Sequence, residues 1–211
     1  MPTRLPLIVA LFTALGPAAP ASAQLSGLIA DMAERAGVGA TVGVITPVDS
    51  DVEVGTVLGF QFGLAPKEGW AVSVGFGWFG GDLHFDDRDV ANVDLKPLMA
   101  GVSYTRVRGR IATSVAVNAG VSFNAAEVDD QYRQSFGPGT DVDLDMKNSL
   151  CVRPSVEIEY ALTPKVALTG WAGFFLTRID STLITPAGRF EDQWDPSSFT
   201  LSVGAIVYPF R

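Results

Sequence analysis

The sequence predicts an all-β fold: an eight-stranded antiparallel up-and-down transmembrane β-barrel with a short N-terminal helical lead-in. Three observations predict it. Large apolar residues recur at every second position, most plainly at Trp70, Val72, Val74, Phe76 and Trp78, with small Ala71, Ser73, Gly75 and Gly77 between them. The connectors between such runs alternate short and long. The chain is 47% hydrophobic and only 18% charged, yet beyond its first residues it has no run of about 18 apolar residues that would cross a bilayer as a helix.

The chain opens with Arg4, an apolar stretch from Leu5 to Leu15 and the small-residue site Ala21-Ser22-Ala23. Residues 1–23 therefore read as a secretory signal peptide, with Gln24 starting the mature protein. Residues 24–36 read as a periplasmic lead-in. Leu25, Leu28, Ile29, Met32 and Ala36 follow helical spacing. Residues 37–211 form the barrel.

Eight alternating runs lie near 37–46, 53–63, 69–79, 95–107, 110–123, 147–160, 165–178 and 198–210. The connectors Leu64–Glu68, Val107–Arg110 and Ala161–Lys165 are short. Those at 80–94, 124–146 and 179–197 are long, polar and rich in Gly, Pro and Asp. Short turns at one end and long loops at the other, with an even strand count, put both termini on the short-turn side. Pro97 and Pro154 each lack a ladder donor, so each is expected at a bulge or strand end. The last two runs alternate less cleanly, which predicts either a bulge or large side chains in the lumen.

One strand alone fits either a membrane barrel or a soluble one. Three features favour lipid outside. The smaller face is dominated by Gly, Ala and Ser, as in the fifth run with Ala112, Ser114, Ala116, Asn118, Gly120 and Ser122 opposite Ile111, Val115, Val117 and Val121. That suits the narrow lumen of eight strands. Aromatics collect at run ends: Phe62, Trp70, Tyr104, Tyr160, Tyr208 and Phe210 beside short turns, Trp78, Phe79, Phe123, Trp194 and Phe199 beside long loops. The leader delivers the chain to where such barrels form.

Chemistry-bearing residues are few. Cys151 is the single cysteine, so it forms no internal disulfide, and it reads as a small buried filler. His84 is the single histidine, in an acidic connector and off every run, which argues against Ser-His chemistry on the wall. Asp141, Asp143 and Asp145 start a calcium-loop pattern that fails at Met146 and Val152. The formal charge of −8 disfavours nucleic acid. Most of the 23 acidic residues fall on the long-loop side. Arg153, Glu157 and Glu159 share the small face of the sixth run, and Arg106 and Arg110 are candidate partners in a lumen charge network. No catalytic, metal or cofactor residues emerge.

The segments Lys96–Tyr104, Arg153–Tyr160 and Leu162–Leu168 resemble small outer-membrane barrels of Gram-negative-type bacteria, of the OmpA/OmpX/OmpW kind. The final Val207–Arg211 is similar to the aromatic-ended segment read by the barrel-assembly machinery, though it ends on Arg211. The resemblance implies a protein of the outer membrane, held in its lipid, and not an enzyme. Its expected role is structural or surface-interacting, through acidic extracellular loops with a partner outside the cell. The alternative is a narrow passage for small or hydrophobic molecules.

Overall fold

A computed structural model describes residues 34–48, 55–85, 88–137 and 141–210 together with Met32, with backbone alone at 83–85, 88 and 89. The expected signal segment and most of the expected helical lead-in lie outside the described residues. So does the His84 side chain. Ala36, the last residue of that lead-in, already opens the first strand.

The strands are β1 (Ala36–Pro47), β2 (Gly55–Leu64), β3 (Gly69–Phe85), β4 (Arg88–Arg108) and β5 (Ile111–Val128). There follow helix α1 (Asp130–Ser135), β6 (Asp143–Met146), β7 (Ser149–Ala161) and β8 (Val166–Thr177). The chain ends with β9 (Ile179–Thr185), β10 (Gly188–Trp194) and β11 (Ser198–Val207). Eight of them close a barrel in the order β1-β11-β8-β7-β5-β4-β3-β2. All neighbours are antiparallel, and β1 closes the ring by pairing with both β11 and β2. The other three make a sheet β10-β9-β6 at the loop end.

Orientation follows the parity read from the sequence. Val72, Val74, Val115 and Val117 are exposed on the outside, and Trp70 is 77% exposed. Asn118 and Glu159 are buried. A contiguous apolar exterior of this extent is untenable in water and at home in hydrocarbon. Along β4 the outward positions between Lys96 and Arg106 are Leu98, Ala100, Val102 and Tyr104. At about 3.3 Å per residue and about 45° of tilt, those ten steps span about 23 Å, the height of an apolar belt. The ring satisfies the backbone donors and acceptors that lipid cannot.

Several expectations are corrected. The long connectors are mostly built structure. β3 and β4 continue to Phe85 and from Arg88. β5 runs to Val128 and is followed by α1 and β6, and 179–197 holds the β9–β10 hairpin. The reason is a reversal of polarity. Above the belt, inward Ala91, Val93 and Val128 are buried, while outward Asn92 and Glu127 are exposed. A strand with water outside keeps its apolar residues in. α1 forms because the Asp129 carboxylate accepts the N–H groups of Gln131 and Tyr132 at 2.7 and 3.2 Å. The turn into β11 is fixed by Asp195, outside the belt. Its carboxyl is held below the ordinary range chiefly by hydrogen bonding from Ser197, with Arg178 adding to it.

Neither proline sits at a bulge or a strand end. Register holds on both sides of Pro97, with Phe76 opposite Leu98 and Phe79 opposite Leu95, and only the ladder between them lapses. Pro154 likewise leaves a lapse between Val152↔Leu176 and Ser155↔Gly173. β8 and β11 keep strict alternation, and the unclean pattern comes from Trp171 and Phe175 filling the lumen. Phe79 and Tyr208, expected in the girdles, also turn inward. Trp194 packs against the loop-end core.

Two glycines meet requirements no other residue meets. Gly109, at φ +61°, makes the tight turn from β4 to β5. On the lumen face of β5, Gly120 lies against the backbone of β4, where a Cβ would stand 2.7 Å from the Met99 Cα and against the Leu98 carbonyl. Gly120→Val is therefore expected to cost the folded barrel about 1–3 kcal/mol. A lowered urea midpoint of the heat-modifiable band on gels checks this, and an unchanged midpoint contradicts it.

Candidate functional site

The lumen is divided into two chemically opposite halves. The loop half is apolar. Val57, Phe79, Leu95, Met99, Cys151 and Phe175 are buried there and join Val93, Leu144, Met146 and Ile179 above the membrane in one core. The rings of Phe79 and Phe175 lie 5.0 Å apart at 50°. Phe175 has no exposed surface at all. Cys151 is free and buried. At the mouth, a recess of about 30 Å³ is lined by Ile45, Pro47, Phe79, Val93, Leu95, Trp194 and Pro196. The indole Nε1 of Trp194 is buried and has no hydrogen-bond partner among the described residues.

The short-turn half is polar. It holds a chamber of about 80 Å³ lined by Gln61, Ser73, Thr105, Ser114, Asn118 and Ser155 together with Arg153, Glu157 and Glu159. Glu157 Oε1 accepts from Thr169 Oγ1 at 2.8 Å and from Gln61 Nε2 at 3.4 Å. The Tyr208 hydroxyl donates to Glu159 Oε2 at 2.9 Å. Thr105 and Ser114 hydroxyls pair at 2.7 Å across β4 and β5. Below, Ala65, Ala167, Ile206 and Tyr208 form a small apolar floor.

Arg153 lies at the boundary between the halves. Its guanidinium carbon stands 4.3 Å from the centre of the Trp171 ring, a cation–π contact that suits a desolvated arginine. Its Nε is buried and without a hydrogen-bond partner among the described residues. The lumen face of β11, where Ser202 is the register partner of Trp171, carries Ser198, Thr200 and Ser202, each with a buried hydroxyl that lacks a partner among the described residues. Arg153 and Trp171 stand between the polar chamber and the apolar layer of Phe175, Met99 and Phe79.

Of the residues expected in a lumen charge network, Arg153, Glu157 and Glu159 line this one chamber. Arg106 and Arg110 do not join them. Arg106 shares the outward face of β4 with Val102 and Tyr104, and Arg110 is exposed in the turn after Gly109. The single-sequence reading missed Trp171 as Arg153's partner and Tyr208 as Glu159's. Strand parity carries both: Trp171 alternates with Thr169, and Tyr208 with Ile206, on buried faces.

No protein-family model matches the sequence, and no curated protein matches it. Solved structures match the fold. The outer membrane protein OprG from Pseudomonas aeruginosa superposes with a TM-score of 0.70 at 12% identity, over 82% of this chain and 95% of that one. Neisserial surface protein A gives 0.55 at 17% identity, over 82% and 96%. The outer membrane protein AlkL, solved in lipid bilayers, gives 0.55 at 16%, over 82% and 89%. The fold is that of the small bacterial outer-membrane barrels.

Trp171→Ala removes the plane under Arg153 and widens the boundary between the two halves. It is expected to give stepwise ion conductance in planar bilayers where the unaltered protein gives none; a silent variant contradicts the assignment of that boundary as the seal. Tyr208→Phe removes one donor from the Glu159 carboxylate. It is expected to lower stability by about 1.5–3 kcal/mol, as for a hydrogen bond to a charged group, measured by urea titration in vesicles.

Proposed function

We propose that the chain is an integral outer-membrane protein that admits small apolar molecules from outside the cell into the loop half of its lumen. It does not pass aqueous solutes from one side to the other. The carrying observation is the divided lumen: an apolar interior with a recess lined by Trp194 at the outer end, and the Arg153–Trp171 contact at its lower boundary.

The physics of such a site is transfer of apolar surface from water, about 25 cal/mol for each Å² removed. The unpartnered Trp194 Nε1 adds one hydrogen-bond donor, which favours an apolar molecule bearing a single acceptor such as an alcohol or ketone. The polar chamber below offers such a molecule no continuation. The wall does. Beside the apolar half the β3–β4 ladder lapses between Gly77–Trp78 and Lys96–Pro97, where Pro97 has no N–H to give and Gly77 has no side chain. Sideways movement into the bilayer there separates fewer backbone bonds than it would along an unbroken ladder.

A second reading, a surface-interaction role through acidic loops, is favoured by one observation. Every residue of β10 from Gly188 to Gln193 is exposed, and the sheet it belongs to carries Asp143, Asp145, Asp180, Glu191 and Asp192.

Fluorescence titration with 1-N-phenylnaphthylamine in detergent-free, polymer-stabilised protein separates the two. Saturable binding is expected, and Trp194→Ala is expected to weaken it about tenfold, equivalent to about 1.4 kcal/mol. No saturable binding by the unaltered protein contradicts the apolar-uptake reading and leaves the surface role in front.

A further inference from the structure

Lys96 occupies an unusual place on the outer wall. It faces outward at the loop-side limit of the apolar belt, one step along β4 from Leu98, which is exposed to lipid. In the register of β3, β4 and β5 it stands between two outward aromatics. Phe123 is its direct partner on β5. Trp78 faces it on β3, at the lapse beside Pro97. The Lys96 ammonium lies 6.0 Å from the centre of the Trp78 ring. Asp94, one outward step further from the belt, ties the group together. Its Oδ1 accepts from Trp78 Nε1 at 2.8 Å, and its Oδ2 accepts from Lys96 Nζ at 3.1 Å.

These contacts fix the ammonium without consuming it. An ammonium has three donors, and the carboxylate takes one. The Lys96 side chain remains 41% exposed. The belt arithmetic above puts Arg106 at one face of the hydrocarbon and Lys96 at the other. A cation at that height, walled by aromatic rings, meets lipid head groups rather than acyl chains or bulk water. Directly below it, outward Phe76, Leu98 and Val121 form an apolar row at successive strand positions. That row accepts an acyl chain belonging to the same lipid.

We propose that Lys96, positioned by Asp94 and flanked by Trp78 and Phe123, is a binding site for the phosphate of an outer-leaflet lipid. The ammonium supplies charge-assisted hydrogen bonds to the phosphate oxygens, the rings hold the interfacial level, and the Phe76–Leu98–Val121 row holds the chain. The site adjoins the β3–β4 lapse of the apolar-uptake reading but does not rest on that reading, since its test reads a response to lipid phosphate and not uptake. Asp94 has two opposed effects in it: it orients the ammonium, and it competes with the phosphate for the same charge.

That opposition supplies the test. The full chain is refolded into phosphatidylcholine vesicles with and without a minor fraction of phosphatidic acid, and the unfolding temperature is read from heat-modifiable migration. Phosphatidic acid is expected to raise it. Lys96→Gln is expected to abolish most of that rise, Lys96→Arg to keep it, and Asp94→Asn to keep or enlarge it. Lys165→Gln, in a short turn at the other end, is expected to keep it. Inorganic phosphate added to phosphatidylcholine vesicles is expected to give no rise. Lys96→Gln responding to phosphatidic acid as the unaltered protein does would overturn the site. So would equal loss of the response in Lys96→Gln and Asp94→Asn, which marks a merely structural ion pair. A rise with free phosphate as large as with the lipid would overturn the assignment to lipid.

Discussion

Hydrocarbon offers the backbone nothing to bond with, and the rest of this molecule is organised around that fact. Inside the belt each of the eight strands must be paired along both edges, so the sheet has to close on itself. Closure in turn fixes a narrow interior, and a narrow interior fixes which residues stand inward. Gly43, Gly101, Gly120 and Gly204 are inward positions where a Cβ would strike a neighbouring strand or its side chains. The two prolines show how far the rule can be relaxed. Pro97 and Pro154 each interrupt a ladder locally, yet register is kept on both sides.

The same closure makes the outside simple and the inside complicated. Outside, one demand acts along the whole belt, and Val, Leu, Phe and Trp meet it. Inside, water, charge and dry packing compete in a space too small to separate them laterally. The lumen separates them along its axis instead. Glu157 and Glu159 sit among hydroxyls and amides, Phe175 and Phe79 sit among aliphatics, and Arg153 on Trp171 lies between them. Arginine suits a boundary of this kind, because its guanidinium can be stabilised by an aromatic face while remaining charged.

The barrel was legible in the sequence because the membrane imposes a single rule at period two. Strand parity alone puts Val72 and Val115 outside and Ser114 and Glu157 inside. The loop-end structure was not legible, because the rule inverts there. Where water replaces lipid, the apolar residues of β3, β4 and β5 change sides, and a scan for outward bulk reads Ala91, Val93 and Val128 as connector. The short β6 and the exposed β10 carry too few apolar positions to register as strands. The misplaced girdle aromatics have one cause. Phe79 and Tyr208 stand at girdle height along the wall, but the parity of neighbours decides their side: Phe79 follows Gly77, and Tyr208 follows Ile206. Charge makes Arg106 a candidate partner for the lumen carboxylates, but it follows Tyr104 to the outside. Arg110 belongs to a turn, where neither rule applies. Trp171 under Arg153 needs the pairing of β7 with β8, which no single strand contains.

The tight turn at Gly109 bears on the order of events during insertion. It joins the longest hairpin among the described residues, whose partners run without interruption from Arg108↔Ile111 to Ala91↔Val128. Those contacts are local in the chain and demand little loop-closure entropy. The seam between β1 and β11, by contrast, brings together Val38 and Val207, nearly the full length of the barrel apart. Loop closure grows costlier with separation, and non-local pairing is correspondingly slow. Closure entropy alone therefore favours early pairing of the β4–β5 ribbon and late pairing of the β1–β11 seam.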